Sequence, residues 1–217
     1  MSNEMASDAG TSLLALLAYQ NLRVAQSLLR PEEGPTDLGE LLPVARIAAE
    51  ALTRFTHACD AIAGGQTAAQ AAMVPITSPV DEFWSMTRPR NLGEQRLRVM
   101  VVANLELELV QRVIEHVPEI AGETLEPAAA LWRVIDLGSQ GVVRAIEQAD
   151  GPDEMSLYAR RLLGESAVMS QRLVVRQPAL RVALTGESDD NLSASTAVLD
   201  EVLAAVAARV GQLGLSV

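Results

Sequence analysis

The stretch RIAAEALTRF, residues 46–55, decides the fold. Its apolar residues Ile47, Ala48, Ala51, Leu52 and Phe55 recur at intervals of three and four, the period of an α-helix with one buried face. Gly64-Gly65 downstream is a strong helix stop, and Pro43 upstream suits a boundary or a separate first turn. Within the stretch stands one carboxylate, Glu50, flanked by Ala48, Ala49, Ala51 and Leu52. Those neighbours leave two readings open, a solvated residue on the outer face or an acid held inside a bundle.

Outward from this helix the same period continues, and strand alternation is nowhere sustained. Six helices follow. The first covers about 11–29, with Thr11 as N-cap and Pro31 as its stop. The second covers about 36–63, the third 92–117 (stopped by Pro118), and the fourth 126–148 with Pro127 in its first turn. The fifth covers about 153–184, broken near Pro178, and the sixth 192–213. ADGPD and GESDD mark the later breaks. Residues 64–91 carry Pro75, Pro79 and Pro89 and read as a long connector, with a helical turn at AQAAM.

Short loops join helices one to two and three to four, which makes each pair antiparallel neighbours. Two hairpins joined by one long crossover form an all-α, ferritin-like four-helix bundle. The expected organisation is a single domain over residues 1–217. Its core bundle lies at about 11–148, and two additional C-terminal helices lie at about 153–213.

Composition narrows the function. The 217 residues are 49% apolar but only 3% aromatic, rich in Ala, Leu and Val, which favours helices. The net charge is -11, so a phosphate backbone is repelled and nucleic acid is not an expected partner. All 17 basic residues are arginine, a usage that fits a GC-rich genome. The single cysteine, Cys59, excludes an internal disulfide and any paired-cysteine motif, and reads as a small buried hydrophobe. MSNEMASDAG is unlike a signal peptide, and no long uncharged apolar run exists. The expectation is a cytoplasmic protein without a membrane partner.

Four stretches occur in a telling order: LLALLAYQNL at 13–22, SPVDEFWSMTRP at 78–89, SLYARRLLGES at 156–166 and ARVGQLGL at 208–215. In these the chain resembles ferritin-like fold-containing proteins of GC-rich bacteria, related to the tRNA-hydroxylase-like branch of that superfamily. The resemblance implies a di-iron centre built from two helices that each give a Glu and two that each give a carboxylate with a His three residues on. Residues three apart share a helix face, so both reach one metal pair.

Placed on this sequence, that pattern is depleted. Asn21 follows Tyr19-Gln20 in the first helix, Glu50 is followed by Thr53, the third helix offers Ala103, and Asp136 is followed by Ser139. Asn21, Glu50, Thr53, Ala103, Asp136 and Ser139 are therefore the candidate residues of a remnant site or pocket. No metal cofactor is expected, since both histidines and two of the four carboxylates are replaced, as a chain that stopped binding iron would do, four buried carboxylates being tolerable only around a cation. The surviving acids Glu50 and Asp136 must then be protonated, paired with Arg or bound to water.

The alternative is a displaced iron site made of Glu50, His57, Glu106 and Asp136, with His57 two turns after Glu50. His116, beside Pro118, reads as a capping or surface residue. Gly138 and Gly141 imply close helix approach or a lined cavity. Arg172 and Arg176, one turn apart, are candidates for docking an acidic partner, against a plainer pairing with nearby acids.

The leading expectation is a non-catalytic binding or interaction protein, a homodimer or one with another protein partner, that has lost most di-iron ligands. The alternatives are a di-iron oxygenase or hydroxylase, and a small-molecule binder reusing the former metal cavity. The sixth helix, apolar over much of its circumference, suits burial against a core or a second subunit.

Overall fold

The computed structural model describes residues 3–29, 38–118, 121–149, 151–186 and 191–217. The described residues form helices α1 (Asn3–Leu28), α2 (Leu38–Ala61), α3 (Gly65–Met86), α4 (Leu92–His116), α5 (Ala121–Gln148), α6 (Asp153–Arg176), α7 (Pro178–Thr185) and α8 (Leu192–Gly211). The expected stop at Pro31, the start at Thr36 and the residues of GESDD after Gly186 lie outside the described residues.

α1 pairs with α2 and α4 with α5 as two hairpins, and α2–α5 and α1–α4 contacts close the bundle. The crossover between the hairpins is not the extended connector that its prolines suggested. It is the helix α3, with Pro75 and Pro79 inside. Each proline removes one intrahelical donor, but Ala69, Ile76, Val80, Phe83 and Trp84 fall on one face and are buried. That packing, against α1, α2 and α6, outweighs the backbone cost. Gly64 and Gly65, both at positive φ, turn the chain sharply from α2 into α3. Likewise Pro43 sits inside α2 without ending it, and α1 begins well before Thr11. The break expected near Pro178 is present, between α6 and α7.

α4 is the centre of the molecule. It packs against α1, α5, α6, α7 and α8, and every residue from Gly93 to Val110 is buried. Its polar residues Glu94, Gln95, Arg96, Arg98, Asn104, Glu106 and Glu108 are therefore interior ones. On the α5 side, Gly138 and Gly141 permit the close approach. A Cβ at Gly141 would collide with the Arg96 side chain, and one at Gly138 would lie 3.0 Å from Cβ of Met100. α8 turns Leu199, Val202, Val206 and Val210 inward, with contacts to α4, α6 and α7.

Candidate functional site at the bundle centre

α2 buries Val44, Ile47, Ala48, Ala51 and Ala58, an apolar stripe at helical spacing. Arg54 falls on that stripe, three residues after Ala51, and is only 6% exposed. α1 contributes Asn21, 2% exposed, just beyond the buried run Leu13–Ala18. From α4 comes Glu106, 3% exposed and one turn after the buried Ala103.

These three side chains form a relay. The Arg54 Nε–H donates to Asn21 Oδ1 at 2.8 Å. Asn21 Nδ2 donates to Glu106 Oε2 at 3.1 Å and to the Leu17 carbonyl at 2.8 Å. The amide orientation is fixed by its neighbours, because the flipped form would set donor against donor and acceptor against acceptor. Asn21 thus couples a guanidinium on α2 to a carboxylate on α4.

Electrostatics follow from burial. Loss of water pushes the Glu106 carboxyl up to about 7, and the Arg54 charge and the Asn21 hydrogen bond act against that rise. Burial lowers Arg54, the charges of Glu106 and Glu50 oppose this, and Arg133 adds to the lowering. An Arg in such a place remains charged. Glu50, half-buried one turn before Arg54, accepts from Arg133 Nε of α5 at 3.1 Å. Two polar atoms of the relay, Arg54 Nη1 and Glu106 Oε1, are buried without a hydrogen-bond partner, as is Glu50 Oε2 of the neighbouring pair.

A second polar cluster lies further along α4. Arg209 of α8 donates from Nη1 to Asn104 Oδ1 at 3.0 Å and pairs through Nη2 with Glu108 Oε1 at 2.5 Å. Its guanidinium carbon stands 5.5 Å from the Trp132 ring centroid. A third surrounds Trp84, whose Nε1 donates to Gln20 Oε1 at 3.0 Å. Arg98 lies 4.4 Å from that ring centroid and donates to the Trp84 and Thr87 carbonyls, where α3 ends. A cation there complements the negative end of the helix dipole.

The sequence-derived candidates separate into two groups. Asn21 and Ala103 are interior, and Asn21 reaches Glu106. Glu50, half-buried one turn before Arg54, is paired with Arg133, and its charge opposes the lowering of Arg54. The rest do not join them. Thr53 is exposed and donates back to the Ala49 carbonyl. Asp136 is exposed and accepts from Gln140 on its own helix, so it does not share a buried location with Glu50. Ser139 donates to the Ile135 carbonyl at 2.7 Å. His57 is exposed, so Glu50, His57, Glu106 and Asp136 do not converge, because two of the four point to solvent. His116 lies against Gly186, whose positive φ and missing side chain leave room for the ring.

Arg54 was missed by the sequence reading, although it stands in RIAAEALTRF itself. Its signal was legible: an arginine at a position of the buried stripe implies a buried cation. Arg172 pairs with Glu82 of α3, which fits the plainer reading of that arginine, while Arg176 is exposed. Near the α4 N-terminus a cleft of about 610 Å³ opens between Gly93, Glu94, Ala145, Asp153 and Met155, away from the relay.

An all-helical bundle of two hairpins, a helical crossover and a buried cluster between the first, second and fourth helices defines a ferritin-like protein. Residues 6–187 match the model of the family described as ferritin-like domain, actinomycetes, and the chain belongs to that family. No curated protein matches it. Among the described residues no helix is long and apolar enough to cross a membrane.

A di-iron pair needs carboxylates and imidazoles converging from four helices. The donors at this centre do not fit one. α1 supplies an amide, α2 a carboxylate together with a guanidinium, and α4 a carboxylate already held by that amide.

Proposed function

We propose that this protein acts by binding, on a ferritin-like frame whose centre no longer serves metal chemistry. The observation that carries the reading is the relay Arg54–Asn21–Glu106, which sets a permanent protein cation among the acids of the bundle centre. A guanidinium there repels divalent metal and stabilises buried carboxylate without one. The binding surface has support on α2. There Leu38, Leu41, Leu42, Ala45, Ala49 and Leu52 are exposed at helical spacing, an apolar stripe on the face opposite the relay. A second copy of the chain or another protein is the expected occupant.

The test is anaerobic loading with ferrous iron, desalting and metal analysis, with light scattering on the same sample. The expected result is no retained iron and the mass of a dimer. About two irons per chain, lost in Glu106→Gln, would instead support the oxygenase. A monomeric mass would remove the homodimer and leave the other protein partner.

A further inference from the structure

α6 turns Met155, Ala159, Leu162, Ser166, Met169 and Leu173 into the core. On its opposite face Leu157, Arg161, Gly164, Val168, Gln171 and Val175 are exposed. They follow one another at steps of four and three in alternation, the spacing of a helix that packs along a second helix. Leu157 and Val175 are each 61% exposed, so the seam is not merely the edge of a buried face. Gly164 stands in its middle. A glycine inside a helix costs about 1 kcal/mol against alanine. Gly138 and Gly141 of α5 offset that cost by close packing within the chain, whereas a Cβ at Gly164 would meet nothing within 4 Å among the described residues. The missing side chain leaves a notch in the seam, open to a helix from outside.

The charges say which helix fits. The first turn of α6 carries Asp153 and Glu154, and the last turn carries Arg176. Between them the exposed Arg161 precedes Glu165 by one turn. A second copy laid parallel would set acid on acid at one end, arginine on arginine at the other, and Arg161 on Arg161 between. A copy laid antiparallel, with the two-fold axis near Leu163, sets each acidic end against a basic end. It brings Leu157 against Val168 of the other copy, and Arg161 over the Gly164 notch beside the other copy's Glu165, twice by symmetry.

We propose that α6 is a self-association face, on which a second copy of this chain docks antiparallel. The proposal rests on the reading that the protein acts by binding. It gives the second copy to α6 and leaves the α2 stripe to a different protein. The 24 residues of α6 span about 36 Å. One helix pair of that length is small for a specific interface, so the dimer is a reversible one that dissociates in the micromolar range.

The experiment is sedimentation equilibrium of the full chain from about 1 to about 200 µM. Wild type is expected to be dimeric at the upper end. Gly164→Leu fills the notch without meeting anything in its own chain, and should weaken association about tenfold or more. Arg161→Glu sets acid against Glu165 of the other copy and should weaken it likewise, and Arg161→Glu/Glu165→Arg should restore it. Leu42→Glu on α2 should leave the dimer as it is. A dimer that withstands both α6 substitutions, or one lost in Leu42→Glu alone, would overturn the inference while the binding reading stands. A double variant as weak as Arg161→Glu would overturn the antiparallel docking. A wild type monomeric throughout would overturn the inference and leave the binding reading with the other protein partner.

Discussion

Glu106 and Glu108 stand two residues apart on α4, both buried, and meet their cations in different ways. Glu108 pairs directly with Arg209, whose side chain lies at the rim of α8 and is 27% exposed. Glu106 faces α1 and α2, and its cation, Arg54, reaches it through the amide of Asn21. Water helps the first pair and is excluded from the second. The same residue type at similar burial thus makes a rim ion pair on one face and an interior charge relay on the other. The difference lies in the neighbouring helix: α8 offers an arginine near its end, whereas α2 places its arginine on the buried stripe.

Removing each cation should break this comparison most visibly. Arg54→Leu leaves the Glu106 carboxylate buried with an amide alone, and a loss of about 3 kcal/mol is expected in urea unfolding at about pH 8.5, above the range in which Glu106 gives up its proton. Arg209→Leu should cost about 1–2 kcal/mol, because water reaches the Glu108 left behind. Equal losses would end the distinction between rim and interior.

Acidity sharpens it further. Glu106 is raised in the folded state to about 7 from an ordinary value of 4.5. Between those values the folded chain binds more protons than the unfolded one. This contribution to stability is present in full below about 4.5 and is lost as pH rises through about 7. Unfolding measured from pH 5 to 8 should show that fall in wild type and a flatter profile in Glu106→Gln. A profile unchanged by the substitution would place the titration elsewhere.

The smallest effect belongs to Arg172→Ala. Its partner Glu82 is on the surface, where solvent screens the pair. The melting temperature should stay where it is, and a clear drop would give that arginine a structural role it does not show here.

Much of the fold was legible because helical period and helix stops are local signals. The two hairpins, the break at Pro178 and the residue ranges of α4 and α8 all come from them. The crossover was not legible as helix, since Pro75 and Pro79 argue locally against one. What overrides them is the burial of Phe83 and Trp84 against elements distant in sequence. The centre was read in part for the same reason. Asn21 and Glu50 were singled out through the family resemblance and Glu106 by its spacing from Ala103, yet Asp136 and His57, reached by the same two routes, point outward. Which face of α5 or α2 turns inward depends on tertiary packing, and residue type alone does not carry it. Arg54 was passed over because a search for ligands looks for carboxylate and imidazole, and the group that completes this cluster is a cation.

The most direct test is a double-mutant cycle on the relay, with urea unfolding at about pH 8.5, where Glu106 is ionised, of wild type, Arg54→Leu, Glu106→Gln and the pair together. If Arg54 is the counter-ion of Glu106, neutralising Glu106 relieves the damage done by Arg54→Leu. The double variant should then be more stable than Arg54→Leu, with an interaction energy of about 2 kcal/mol or more. Additive losses within about 0.5 kcal/mol would contradict the account, because Arg54 and Glu106 would then be independent residues that happen to share a core.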